Sequence, residues 1–255
     1  MEWHDEGVLI ACRRHGEGGA IVELFTAGHG RHAGYVAGGG GRRMAPLLQP
    51  GAQLAVTWRA RLAEHMGHFR VEPLRARASA LFADPPALAA LASISALLSW
   101  SLPEREAHPA LYADTIALMD RLGASGWQAA YARWELMLLR ELGFGLDLGR
   151  CAVTGQEAGL VFVSPKSGRA VSADGAGEWR DRLLALPAFL LDDTIAASAA
   201  DIAAALRLTG HFLEGWLGAA LERPRLPDAR QRLAARLARS GGLEDQKLHP
   251  LGAQH

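Results

Sequence analysis

No run of apolar residues in this chain approaches the roughly 18 to 20 needed to cross a bilayer. The longest candidate, residues 86–98, is too short and is interrupted by Ser93 and Ser95. The opening Met1-Glu-Trp-His-Asp-Glu is acidic. With no basic start leading into an apolar segment, no secretory signal is visible and a cytoplasmic location is expected. Cysteine is scarce: Cys12 and Cys151 are the only two. Neither belongs to a Cys-x-x-Cys pair, so zinc held by cysteine has little support, and an intracellular chain keeps both thiols reduced. Catalytic signatures are missing too. There is no Gly-x-Ser-x-Gly, no His-Glu-x-x-His, and no His-x-Glu with a downstream Pro-Cys-x-x-Cys. A Gly-x-Gly at Gly28 and Gly30 opens no helix, which removes the dinucleotide reading. The chain therefore reads as a non-enzyme that needs no cofactor.

What is present is 255 residues, 49% of them apolar, enough for one large or two modest domains. The formal net charge is zero, yet it is unevenly distributed. Between residues 11 and 77 stand ten arginines (13, 14, 31, 42, 43, 59, 61, 70, 75 and 77) against Glu17, Glu23, Glu64 and Glu72. A local excess of +6 means an acidic balance elsewhere. This fits either one face for a polyanion or an ordinary solvated surface rich in arginine.

The first 80 residues alternate short apolar runs with glycine turns. Strands are expected at about 7–14, 20–26, 34–37, 53–61 and 66–73, and five of them fit a small barrel. From Ala78 the pattern becomes helical. Helices are expected at 86–102, with Pro85 and Pro86 at its start, at 108–122 and at 127–142. The apolar positions 127, 131, 134, 138 and 142 give the third helix one face. Residues 143–177 read as a loop-rich insert. Helices resume at 178–184, 198–221 and 228–239. The expected division is a nucleic-acid-binding barrel over 1–79, a helical domain over 80–240, and a disordered tail over 241–255. The fold class is α+β.

The glycine run Gly38 to Gly41 precedes Arg42 and Arg43, and no lysine follows it, so it is no phosphate-cradling P-loop. Two readings stay open: a flexible hairpin loop, or a mobile arm carrying Arg42 and Arg43 to a phosphate backbone. In Trp58-Arg-Ala-Arg61, alternation puts Arg59 and Arg61 on one strand face and Trp58 on the other. Arg31, Tyr35, Phe69 and Arg70 mix similar chemistry. Small barrels bind single strands with a cationic groove and aromatic rings for stacking. Trp58 and Phe69 are expected mainly to fill the core. His29 and His32, like His65 and His68, are three apart, but no thiolates and few acids lie nearby, so no metal site is expected. Asp192-Asp193, with Asp181 upstream, reads as helix capping before Thr194 rather than as a nuclease centre.

Several segments together resemble the RecO family. These are Arg14-His-Gly-Glu-Gly-Gly-Ala-Ile-Val-Glu-Leu-Phe-Thr-Ala-Gly-His-Gly, then Gly39 to Arg43 followed by Leu48-Gln-Pro-Gly51. Further on come Glu135-Leu-Met-Leu-Leu-Arg-Glu-Leu-Gly-Phe-Gly-Leu-Asp-Leu-Gly-Arg-Cys-Ala-Val-Thr-Gly, Phe162-Val-Ser-Pro-Lys-Ser-Gly-Arg-Ala-Val, and Leu184-Ala-Leu-Pro-Ala-Phe-Leu. The similarity spans about residues 5 to 240 in the right order, and it is the joint order that carries it. It implies an N-terminal OB-fold and a helical C-terminal domain whose insert is a degenerate zinc-finger-like loop. It implies a recombination mediator that binds single- and double-stranded DNA and anneals strands. Such a protein helps load recombinase onto strands coated by single-strand-binding protein. Implied partners are RecR and the C-terminal tail of that coating protein, with the nucleoid as place of work. Many relatives hold zinc with two Cys-x-x-Cys pairs, whereas the matching positions here are Cys151, Thr154, Ser172 and Gly175. One thiol cannot close a tetrahedral site, so no structural zinc is expected and packing of Phe162 and Val171 should hold the loop.

The expected DNA contacts are Arg13, Arg14, Arg31, Arg42, Arg43, Arg59, Arg61 and Arg70 on phosphates, with Tyr35, and Phe69 second, stacking on bases. An acidic, apolar partner tail is expected near Arg121 and Arg133. The rival readings are a protein-binding scaffold whose barrel never touches DNA, and a metal-dependent nuclease built on Asp181, Asp192 and Asp193.

Overall fold

The computed structural model describes residues 1–62 and 64–247, with 240–247 described by backbone alone. Five strands come first: β1 (Glu2–His15), β2 (Gly19–Thr26), β3 (Gly30–Val36), β4 (Ala52–Arg59) and β5 (His68–Ala76). They close into a barrel in the order β1-β2-β3-β5-β4. Residues Glu2 to Val8 of β1 pair with β4 and Gly7 to His15 pair with β2, with a register shift in the β2 pairing between Leu9 and Ala11. One long strand can thus serve both edges and close the barrel, which removes free edges. The polar Glu2-Trp-His-Asp-Glu stretch belongs to β1, with Trp3 and Asp5 half-buried and Glu2, His4 and Glu6 exposed.

The barrel core comprises Leu9, Ala20, Val22, Leu24, Val36, Leu54, Val56, Trp58 and Phe69, with Trp3 and Met44 packed against it. Side chains alternate in and out with period two along each strand. In β3, His32, Gly34 and Val36 are buried while Arg31, Ala33 and Tyr35 are half-exposed.

A short helix α1 (Arg77–Ala80) leads to α2 (Pro85–Ser101) and α3 (Pro109–Arg121). Asp84 caps α2 by accepting from the Ala87 N–H, and proline occupies its first turn. The composition break near residue 80 marks where strands give way to helices. The compact unit does not end there, since it runs to Ala124 and takes in α2 and α3. Beside apolar contacts such as Leu91 against Gly51 and Phe25 edge-on to Tyr112, polar chemistry that a hydrophobic pattern cannot reveal joins α3 to the barrel. The buried Arg77 donates to Asp120 of α3 at 2.6 Å, to the Gly51 carbonyl at 3.1 Å and to Gln53 at 2.8 Å. Gln53 in turn donates to the Tyr112 hydroxyl at 2.8 Å.

The second unit begins at Ser125. It holds α4 (Trp127–Glu141), β6 (Leu160–Val163), β7 (Ala170–Ser172), α5 (Ala173–Ala176), β8 (Leu184–Ala185), α6 (Ala199–Phe212) and most of α7 (Asp228–Lys247). Helix α4 packs on α6 around a carboxylate, Glu135, that is fully buried. The Tyr131 and Thr209 hydroxyls both donate to it. The loop-rich stretch 143–177 contains β6 and β7, and β8 completes a three-stranded sheet ordered β7-β6-β8. The helix expected at 178–184 is a single 3-10 stretch, Gly177–Arg182. Helix α6 opens on a capping box between Ser198 and Asp201 and gives way to a π turn over Leu213–Gly218. Helix α7 passes through Gly241 and Gly242, so the tail expected from 241 starts inside a helix. Each glycine costs a helix about 1 kcal/mol, which weakens it without ending it. Residues 248–255 lie outside the described residues.

Candidate nucleic-acid interface

Residues directly opposite in paired strands share a face, across antiparallel pairs and across the one parallel contact of β3 with β5 alike. The registers Arg13↔Ile21, Ile21↔Tyr35, Tyr35↔His68, His68↔Arg59 and Arg59↔Glu2 therefore define one row on the outside of the barrel. Neighbouring strands lie about 4.8 Å apart, so the four steps from Arg13 to Arg59 run roughly 19 Å around the barrel and touch all five strands. Arg70 lies two residues beyond His68 on the same face of β5, opposite Thr57, and Thr57 lies opposite His4. Arg61 follows in the β4–β5 loop. Met1, Glu2, Arg59, Ala60, Arg61 and His68 line a shallow recess of about 620 Å³.

Tyr35 stands in the middle of the row with its ring edge-on to His15 at 6.1 Å and to His68 at 5.5 Å. The ring lies directly on Gly19, where a methyl group would come within 2.2 Å of it. A bare glycine beneath it is thus the condition for this ring position. The sequence singled out His68 only as half of a histidine pair and marked neither His15 nor Gly19 for a site, because strand register is what brings all three to Tyr35.

The glycine run is neither a free loop nor an arm. Gly40 donates to the Gly18 carbonyl of the β1–β2 turn at 3.1 Å, and the Met44 and Ala45 N–H groups donate back to Gly41. A Cβ on Gly39 would meet Ala20 at 2.8 Å, and one on Gly40 would meet the Gly19 carbonyl at 2.8 Å. The run is rich in glycine because backbone packs on backbone there. It holds Arg42 and Arg43, both exposed, in a turn fastened to the hairpin that carries Arg13 and Arg14. Arg13 shares its face with Ile21 and Tyr35. Arg14 shares the opposite face with Ala20 and Val36, at the barrel's rim.

Three of the ten arginines are engaged elsewhere. Arg31 donates to Glu23 at 3.0 Å and to the Leu102 carbonyl at 2.8 Å, and its side chain is only 13% exposed. Arg75 and Arg77 both bind Asp120. Arg31 thus fastens the end of α2 and is no phosphate contact. Phe69 is buried against Gly34, where a Cβ would come within 2.3 Å of its ring, so it fills the core and cannot stack on a base. Trp58 is core as expected, and its indole N–H donates to the Met66 carbonyl at 2.9 Å. Arg105, unremarked in the sequence, donates to the Glu64 and His65 carbonyls at 3.2 and 2.9 Å and so fixes the β4–β5 loop.

Acids temper the row without cancelling it. Arg59 pairs with Glu2 at 2.8 Å and holds the Glu2 carboxyl below the usual range. Arg70 meets Glu72 at 3.6 Å. Both pairs are exposed, and such pairs give way readily to a phosphate in water. Arg13, Arg14, Arg42, Arg43 and Arg61 are exposed as well.

The remaining candidates are dispersed. Arg121 lies in the first unit and Arg133 in the second, where Arg133 donates to the Phe189 carbonyl at 2.9 Å and covers the Phe189 ring. Asp192 closes a turn by accepting from the Thr194 N–H and hydroxyl, well before the Ser198 cap of α6, so it caps no helix. No group of three or more His, Cys, Asp or Glu side chains is placed to hold a metal among the described residues. His29 stacks on Trp3 at 3.9 Å and meets Asp5 at 3.2 Å, and His32 is buried edge-on to Trp3, Trp58 and Phe69.

Cys151, Thr154, Ser172 and Gly175 do converge. The Cys151 sulfur accepts from the Thr154 N–H at 3.4 Å and from the Ser172 N–H and hydroxyl at 3.2 and 3.3 Å. A Cβ on Gly175 would lie 2.8 Å from that sulfur. Burial pushes the thiol up, but the hydrogen bonds from Ser172 and Thr154 outweigh it and bring it down to about 6. Hydrogen bonds to the sulfur gather Cys151, Thr154 and Ser172, and Gly175 joins them by donating its N–H to the Ser172 hydroxyl at 3.1 Å. Of the two residues expected to pack the loop, Val171 is buried and Phe162 is half-exposed under Arg180.

Comparison with known proteins gives a consistent result. The family described as "Recombination protein O N terminal" matches residues 1–77, and "Recombination protein O C terminal" matches residues 83–224. The chain is 57% identical over 240 residues to a DNA repair protein RecO of Cereibacter sphaeroides, covering 94% of this chain and 100% of that one. It is 54% identical to the DNA repair protein RecO of Roseobacter denitrificans, covering 94% and 99%. The identity is 51% to that of Dinoroseobacter shibae, again over 94% and 99%.

Proposed function

This chain belongs to the RecO family, a family of DNA repair and recombination, and from that premise we propose that the outer wall of its barrel binds DNA, anneals complementary strands and helps load recombinase onto strands covered by single-strand-binding protein. The observation that supports this best is the row Arg13, Tyr35, His68, Arg59, with Arg14, Arg42 and Arg43 at one end and Arg61 and Arg70 at the other. Those guanidinium groups contact phosphates and release counterions, which makes binding steeply salt-dependent and almost indifferent to sequence. Tyr35, stiffened by Gly19 beneath and an imidazole on either side, offers a ring on which a base stacks. No covalent step is involved, and annealing follows from neutralising strand repulsion. RecR and the acidic C-terminal tail of single-strand-binding protein are the proposed partners, with Arg121 and Arg133 as candidate contacts for the tail.

The test is a salt titration of binding to single-stranded DNA. Each lost phosphate contact on a single strand flattens the slope of log affinity against log salt by about 0.7. Arg42→Glu with Arg43→Glu should therefore reduce the slope by about 1.4 and weaken binding at every sequence alike. An unchanged slope in this variant and in Arg59→Gln with Arg61→Gln would leave the barrel as a protein-binding scaffold.

A further inference from the structure

A second concentration of arginine lies far from the barrel in sequence. Residues 222–239 hold Arg223, Arg225, Arg230, Arg232, Arg236 and Arg239 against Glu222 and Asp228, with no lysine. Between residues 78 and 221 the balance is the reverse, sixteen acids to ten bases. The chain therefore carries two basic stretches separated by an acidic one.

On α7 the arginines are ordered. At 100° per residue, Arg232, Arg236 and Arg239 fall within about 60° of one another around the helix. Leu233 and Leu237 are buried and hold the helix by another face. Arg232 and Arg239 are exposed, and Arg236 between them is half-buried. Asp228 stands four residues before Arg232 at the start of this face, and residues 229–239 contain no acid. The row from Arg232 to Arg239 is about 10 Å long, a length over which one strand of a duplex places about three phosphates. The exposed residues beside the arginines, Ala235 and Ala238, are too small to anchor a peptide through apolar burial.

We propose that the Arg232–Arg236–Arg239 face of α7 is a second nucleic-acid site that engages the phosphate backbone of another strand. This rests on the barrel being the first site, and it supplies what annealing requires: two strands neutralised on one protein. Arginine suits the role because its guanidinium binds phosphate oxygens through paired hydrogen bonds.

The experiment uses the full chain, a fluorescein-labelled oligothymidylate for single-strand affinity and stoichiometry, and two labelled complementary oligonucleotides for annealing. Arg232→Glu with Arg239→Glu should leave first-strand affinity within about twofold, abolish binding of a second strand, and slow annealing about tenfold at physiological salt. Arg232→Gln with Arg239→Gln, which changes charge less, should give the same pattern at smaller amplitude, with the thermal melt of each variant reporting its fold. Unchanged annealing and stoichiometry in both variants, with binding still lost on Arg42→Glu and Arg43→Glu, would overturn the α7 site and leave the barrel reading standing. Loss of all binding on the α7 changes, with none on the barrel changes, would instead overturn the barrel reading. Displacement of the second strand by polyglutamate as readily as by unlabelled DNA would overturn the assignment to nucleic acid.

Discussion

Acid should unfold this protein through one residue in the barrel. His32 is 4% exposed, and neither of its ring nitrogens has a hydrogen-bond partner among the described residues. It meets Trp3, Trp58 and Phe69 edge-on, with His29 close by and the positive charge of Arg105 acting on it. Burial, reinforced by Arg105 and His29, lowers its pKa from 6.5 to about 4. The unfolded chain binds the proton first, so stability rises with pH between those two values. It is complete above about pH 6.5, falls by roughly 2 kcal/mol at pH 5 and roughly 3 kcal/mol at pH 4, and levels off below. Asp5, whose hydrogen bonds to Glu6, His29 and Gly28 outweigh its burial and lower its carboxyl, loses its contribution only below 3.8 and so hardly enters this window. Urea titrations followed by tryptophan fluorescence at pH 7, 6, 5 and 4 would measure the loss, since Trp3 and Trp58 border the group. His32→Phe keeps an aromatic ring and removes the proton site, so its stability should be flatter with pH by that same roughly 3 kcal/mol. Parallel pH profiles in wild type and His32→Phe would refute the reasoning.

Two further substitutions separate structure from interface. Arg31→Met removes the guanidinium that joins Glu23 and the Leu102 carbonyl, so it should lower stability by about 2 to 4 kcal/mol in a chemical melt while leaving the salt slope of DNA binding intact. Equal loss of slope there and in Arg42→Glu would mean that Arg31 contacts DNA after all. Gly19→Ala changes no charge but drives a methyl into the Tyr35 ring. It should weaken single-strand binding by about 1 to 3 kcal/mol, the scale of one base stacked on an aromatic ring, at an unaltered salt slope. Binding as tight as wild type would remove Tyr35 from the interface.

The barrel and the first three long helices were readable because each rests on a local signal. Period-two alternation between glycine turns located the five strands, proline in the first turn located α2 and α3, and a four-three apolar spacing located α4, each helix to within a residue or two. Element boundaries failed where the signal was not local. The first strand begins at Glu2 because β4 offers it a partner, which no window of residues around it can show. Helix α7 continues past two glycines, which weaken a helix without ending it. The site was legible as a composition and illegible as an arrangement. Counting arginines cannot distinguish Arg77, buried against Asp120, from Arg70, exposed on the wall. A glycine run looks the same in sequence whether it is slack or, as here, stacked on the Gly18–Gly19 backbone.

A formal charge of zero is no obstacle to a polyanion binder once the range of charge is considered. At physiological ionic strength exposed charges interact over about 8 Å, far less than the span of a chain this size. What a phosphate senses is the patch it touches. Ion pairing inside the first unit sharpens that patch, because Glu23 and Asp120, which would oppose it, are themselves held by Arg31, Arg75 and Arg77. Of the acids of residues 78–221, Glu104 and Asp120 are likewise taken up at contact by Arg31, Arg75 and Arg77, which leaves the exposed guanidinium groups to meet a phosphate directly. A molecule with no net charge can thus still present a local cationic surface, which is all that the proposed DNA contact requires.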